Sequence, residues 1–204
     1  EKHCWAEIDV DAIRSNYELI KYTLEKPFYT VVKADAYGHG AKYIAKIYSE
    51  MDTFGFCVSN FSEAMELRNS GITKPILILG YTEPNKAYEL FKNNLTQTVF
   101  SLEYAKALND QALYPIECHI KLDTGMGRLG FDLLADKEKA YSEIRALLNM
   151  HNLKCTGVYS HFPAADALDD RALVMTQKQV EIFGDTVRLM ESWGFNLKTM
   201  HGQN

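Results

Sequence analysis

Short apolar runs alternate along this chain with longer stretches whose apolar residues recur at helical spacing. The runs over residues 29–32, 53–58, 75–80, 96–100, 116–122, 153–160 and 197–200 are rich in Val, Ile, Leu, Phe and Thr and read as strands. The segments between them read as helices. Asp9 is placed to cap the first, and Ile13, Tyr17, Ile20 and Leu24 mark one face of it, with Pro27 beyond its end. A second helix spans residues 41–48, and a third spans 61–69 with Gly71 just past its end. Pro84 opens a helix to Phe91, and Ser101 caps one that runs to about Asn109. The last two cover residues 137–150, with Ile144, Leu147 and Leu148 inward, and residues 170–193.

Strand–helix alternation implies a parallel sheet with its helices outside, because parallel neighbours need a crossover connection. Seven such units predict an α/β fold, a (β/α)8 TIM-type barrel that is C-terminally incomplete, with residues 1–204 as one barrel domain. An open doubly wound sheet is the alternative. No Gly-x-Gly-x-x-Gly turn follows a first strand, so dinucleotide binding lacks support.

Composition narrows the function classes. Hydrophobic residues make up 47% of the 204, as in a globular protein, and the formal charge of -5 comes without a basic block for nucleic acid. No apolar run approaches a membrane span, and the N-terminus has no signal-peptide pattern. Cys4, Cys57, Cys118 and Cys155 are far apart and mostly within apolar runs, which predicts buried free thiols in a reducing, cytoplasmic compartment and no metal site.

Candidate chemistry collects just after strands, where ligands bind in parallel α/β proteins. Lys33 follows the first strand and precedes Tyr37, Gly38 and Gly40. A lysine there can be a solvated charge, a phosphate contact, or the amine of a Schiff base if its pKa is lowered. The fifth strand runs into Lys121, Asp123, three glycines and Arg128. The sixth runs into His161.

The string Val-Val-Lys33-Ala-Asp-Ala-Tyr37-Gly-His-Gly resembles the pyridoxal 5'-phosphate (PLP) attachment site of alanine racemases. The opening at Ala6–Tyr17, the segment His119-Ile-Lys-Leu-Asp-Thr-Gly-Met-Gly-Arg-Leu-Gly130, the segment Gly157 to Phe162 and the ending His201-Gly-Gln-Asn204 resemble the same family. The resemblance implies that Lys33 carries PLP as a Schiff base and acts as one catalytic base. By the same resemblance Tyr37 donates to the cofactor phosphate and Leu79 lies near the ring. Arg128 bonds the phenolic oxygen and orients the substrate carboxylate, and His161 stacks on the ring. Lys121 matches a lysine that is carbamylated in many of these enzymes; an unmodified lysine paired with Asp123 is the alternative. Asn204 belongs to the approach to the phosphate loop, and His39 supports the Lys33 loop.

The resemblance further implies a homodimeric isomerase that makes D-alanine for peptidoglycan. Its second base would be a tyrosine of a C-terminal β domain that this chain does not contain. A chain starting at Glu1 and stopping at Asn204 is expected to be a piece of that enzyme, poorly soluble and inactive alone. Serine is an alternative substrate. A non-catalytic PLP-binding homeostasis protein, which shares the barrel and a strand-end lysine, is an alternative function; it lacks the Lys33 and Arg128 segments found here.

Overall fold

The computed structural model describes residues 4–167 and 169–203. They form two compact units, residues 4–82 with 93–95, and residues 83–92 with 96–167 and 169–203.

In the first unit helix α1 (Val10–Leu24) leads to strand β1 (Tyr29–Val31) and the one-turn α2 (Lys33–Tyr37). Helix α3 (Ala41–Glu50), β2 (Gly55–Val58), α4 (Phe61–Asn69) and β3 (Ile76–Ile78) follow. β1 pairs with β2 and β2 with β3, both parallel, with Val31 beside Cys57 and Val58 beside Ile78. β2 and β3 are buried on both faces, as their unbroken apolar sequence requires. The predicted caps form: the Asp9 carboxylate accepts from the Ala12 N–H at 3.0 Å, and Gly71 has a left-handed φ of 92° past α4.

The predicted face of α1 is only partly buried. Tyr17 is enclosed by Phe28 and Tyr48, each with ring centroids 5.1 Å from its own. Ile20 and Leu24 lie past this contact and are 47% and 50% exposed. Helical spacing thus found the face but not how far along the helix its packing extends.

The second unit contains a 3-10 turn (Pro84–Lys86), α5 (Ala87–Lys92), the rest of β4 (Leu95–Val99), α6 (Leu102–Gln111) and β5 (Ile116–Asp123). Then come β6 (Phe131–Asp132), α7 (Lys137–Ala146), a 3-10 turn (Leu147–Asn149), β7 (Leu153–His161), α8 (Asp170–Ser192) and β8 (Thr199–Gln203). β4 pairs with β5, β5 with β7 and β7 with β8, all parallel. The two-residue β6 adds to the end of β5 and was not legible as a strand. The 3-10 turn after α7 rotates the chain, so Ile144 and Leu147 are buried but Leu148, expected inward, is 39% exposed. Cys57 and Cys118 are buried as expected, whereas Cys155 is half-buried and Cys4 exposed. Among the described residues no helix is long and apolar enough to cross a membrane.

Candidate functional site

Lys33 stands where β1 ends, half-buried behind Val32, which is 1% exposed. The chain then makes a left-handed turn. Ala34, Asp35, Ala36 and Tyr37 all have φ between 51° and 55°. Each such L-residue costs roughly 1–2 kcal/mol because its Cβ crowds the following carbonyl. Local bonds offset this cost. The Asp35 carbonyl accepts from the N–H groups of Gly38 and Gly40 at 3.1 and 2.9 Å. The Asp35 carboxylate accepts from the Ala41 N–H at 2.7 Å, and the His39 ring donates from Nδ1 to the Ala36 carbonyl at 2.9 Å. His39 therefore supports the loop. The Lys33 amine lies 5.9 Å from the centre of the exposed Tyr37 ring. The N–H groups of Gly38 and Gly40 are engaged within the turn, and Tyr37 is exposed beside them. Leu79, one residue past β3, is half-buried and donates its N–H to the Val58 carbonyl at 2.8 Å.

In the second unit Asp123 closes β5 and folds the next loop around its carboxylate. Oδ1 accepts from the N–H groups of Gly125, Met126 and Gly127 at 2.9–3.1 Å, and Oδ2 from that of Arg128 at 3.1 Å. Sequence reasoning treated Asp123 only as a partner for Lys121. Its position before Thr-Gly-x-Gly was the available signal, since aspartate binds backbone N–H groups just ahead of it. The loop presents Arg128 exposed and returns through Gly130, where a Cβ would lie 2.8 Å from the Asp123 nitrogen.

Lys121 makes no ion pair with Asp123, whose oxygens serve the loop. Its amine is buried and sits 5.0 Å from the centre of the Tyr159 ring. Burial lowers its pKa to about 8; Asp123 opposes that shift and Arg128 adds to it. Near neutral pH the amine is mostly charged, with a minor neutral fraction.

Strand register puts Lys121 beside Tyr159 and Tyr159 beside His201, while His119 sits beside Gly157. His201 stacks on Tyr159 at 4.9 Å and meets His119 Nδ1 through its Nε2 at 3.0 Å. The Tyr159 hydroxyl bonds the Thr98 hydroxyl at 3.0 Å. Burial, with His201 second, lowers the His119 pKa to about 3; burial, with Lys121 second, lowers that of His201 to about 4. One ring nitrogen of the His pair therefore donates and the other accepts, with both rings neutral. This row of buried His119, Lys121 and Tyr159 with half-buried His201 was not assembled from the sequence. The alternation of His119 and Lys121 within an apolar strand was the signal for a shared face. His161 ends β7, half-buried, next to Ser160, whose hydroxyl bonds those of Thr124 and the Leu122 carbonyl. Asn204 lies outside the described residues. Among those described, no group of three or more His, Cys, Asp or Glu side chains could hold a metal ion.

Comparison with known proteins matches this arrangement to one family. Residues 8–204 match the family described as alanine racemase, N-terminal domain. Alanine racemase 1 of Caldanaerobacter subterraneus subsp. tengcongensis is 39% identical over 203 residues, covering 97% of this chain and 51% of that protein. A solved alanine racemase of Clostridium difficile 630 superposes with a TM-score of 0.86 at 34% identity, covering 97% of this chain and 52% of its own. A histidine racemase of Leuconostoc mesenteroides superposes with a TM-score of 0.79 at 25% identity. The chain belongs to the alanine racemase family and has the parallel barrel fold of its N-terminal domain, not an open doubly wound sheet. Members of this family use pyridoxal phosphate. The chain spans about half the length of the curated relatives it matches.

Proposed function

We propose that this chain is the cofactor-holding portion of a PLP-dependent alanine racemase, and that residues 1–204 act as one cofactor-binding barrel domain. One observation carries the reading: a half-buried lysine at a strand end, followed at once by a left-handed turn of four non-glycine residues. The residues that match the family's motifs would hold the cofactor. Lys33 would hold its aldehyde carbon, Tyr37 its phosphate, and Arg128 its phenolic oxygen and the substrate carboxylate. Leu79 and His161 would lie at the ring, and Asn204 near the phosphate. Bound PLP supplies an electron sink for charge developing at the substrate Cα.

The chain's own residues would supply binding, orientation and one of the two bases. Lys33 Nζ holds or returns the proton at Cα on one face. The Arg128 guanidinium, planar and permanently charged, fixes a carboxylate through two parallel donors. The Asp123 carboxylate keeps the Arg128 loop closed by its four backbone contacts. Lys121 is a candidate for carbamylation because its lowered pKa leaves a nucleophilic amine. Alanine is favoured as substrate by the names of the relatives, while the histidine racemase shows that this fold also serves another side chain. A cytoplasmic homodimer supplying D-alanine to peptidoglycan is the setting we infer for it.

The test uses the full-length protein. Borohydride reduction after PLP loading should fix the cofactor on the peptide containing Lys33, and L-alanine should lose optical rotation faster than L-serine or L-histidine. Fixation on another lysine would overturn the assignment. A labelled carbamate carbon seen by NMR under isotopic carbon dioxide, and lost in Lys121→Met, would identify the modification.

A further inference from the structure

A single carboxylate outside the Lys33 turn holds it in place. Glu63 lies in the first turn of α4, where Asn60 Oδ1 accepts from its N–H at 3.0 Å. Glu63 Oε1 accepts from the Ala34 N–H at 2.9 Å, and Oε2 from the Ser59 N–H at 2.7 Å. Ala34 immediately follows Lys33 and opens the left-handed run. Ser59 immediately follows β2. The Ser59 carbonyl then accepts from the Gly80 N–H at 3.1 Å, and a Cβ on Gly80 would stand 2.5 Å from that oxygen. One line of contacts therefore joins the carboxyl ends of β1, β2 and β3, and Glu63 is the side chain on which it turns.

The chemistry asks for a carboxylate here. Two N–H groups from different loops point at one side chain, so both of its oxygens must accept. Charge-assisted bonds of this kind are about twice as strong as neutral ones. Glutamine would keep one acceptor and turn its NH2 group on the other N–H.

We propose that Glu63 is a positioning residue for the Lys33 amine: it pins the first residue of the strained turn, so that the lysine leaves the strand in one direction only. This rests on the reading that Lys33 carries the cofactor. The experiment compares wild type, Glu63→Gln and a control, Glu66→Gln, an exposed residue of the same helix, all as the full-length protein. Loss of one charge-assisted bond should speed amide hydrogen exchange at Ala34 or Ser59 in cofactor-free Glu63→Gln by about tenfold or more. In the loaded protein the pH midpoint of the imine absorbance should move and kcat should fall about tenfold with little change in KM, as expected for lost orientation. Glu66→Gln should match wild type. Unchanged exchange, imine titration and kcat in Glu63→Gln would overturn the proposal. So would losses that track only a lower Tm and leave the imine midpoint in place. Borohydride labelling of wild type on another lysine would overturn both this proposal and the one it rests on; labelling on Lys33 with an unaltered Glu63→Gln would overturn this one alone.

Discussion

Lys33 and Lys121 both stand at the carboxyl end of a parallel strand, and the protein treats them differently. Lys33 is half-buried, and the turn beside it is shaped by bonds from side chains to backbone, from Asp35, His39 and Glu63. Lys121 is 4% exposed, and its row is held by side chains on side chains, the His119–His201 contact and the Tyr159–Thr98 bond. Contacts to backbone fix where the chain goes and leave an amine accessible. Contacts between buried rings fix the polarity around an amine and shift its proton affinity. The first environment suits a group that must reach a ligand, the second a group that is tuned and kept.

The comparison can be broken most severely on the backbone-bonded side. Arg68 donates to the carbonyls of Asn93, Asn94, Ile72 and Lys74 at 2.7–2.8 Å, and burial lowers its pKa. Arg68→Ala should cost about 3 kcal/mol in a denaturant melt, since bonds from a charged donor are strong and four acceptors lose their partner. Next come two glycines, one in each environment. Gly157→Ala would place a Cβ 2.4 Å from the His119 ring, and Gly80→Ala one 2.5 Å from the Ser59 carbonyl. Each should cost about 1–3 kcal/mol by overpacking. Only the first should disturb the ring signals of His119 and His201 in an NMR spectrum.

Acid should separate the two regions further. The folded pKa values of His119 and His201, about 3 and about 4, lie below the ordinary 6.5. Between those values the unfolded chain binds protons that the folded one refuses, so stability is lost as pH falls below 6.5. From pH 6.5 to about pH 5.5 the loss should be about 2 kcal/mol for the two groups together, and smaller in His119→Asn. A variant with the same acid slope as wild type would remove the histidines from this account. The smallest effect concerns Gln179, 3% exposed on α8, whose amide oxygen and nitrogen have no hydrogen-bond partner among the described residues. Gln179→Leu should be neutral or raise stability by up to about 1 kcal/mol, because an unpaired buried amide costs more than an apolar group of similar size. A clear drop in Tm would show that the amide is bonded in solution.

Element types were legible because apolar runs and caps are local signals: Asp9 and Ser101 cap their helices as expected, each accepting from the N–H three residues on. The strand-end lysine was legible for the same reason. The left-handed turn was not. Its residues at positive φ are Ala, Asp, Ala and Tyr, and the usual signature of that conformation is glycine. Nor was the His119–His201 contact, which joins residues 82 apart and depends on a strand register that periodicity does not contain. Exposure of Ile20 and Leu24 escaped for a related reason, since spacing shows a helical face and not its neighbours.

Helix α4 carries Glu63 in its first turn and Arg68 in its last. The two ends fasten different loops, the carboxylate those after β1 and β2, the guanidinium those before β3 and β4. Five residues set them about 7.5 Å apart along the axis, and each residue turns the helix by about 100°. An insertion or deletion between them would leave Glu63 in place and swing Arg68 away from all four carbonyls. The nine-residue span of this helix is therefore a fixed gauge. Length changes should be tolerated at the exposed ends of α1 long before they are tolerated here.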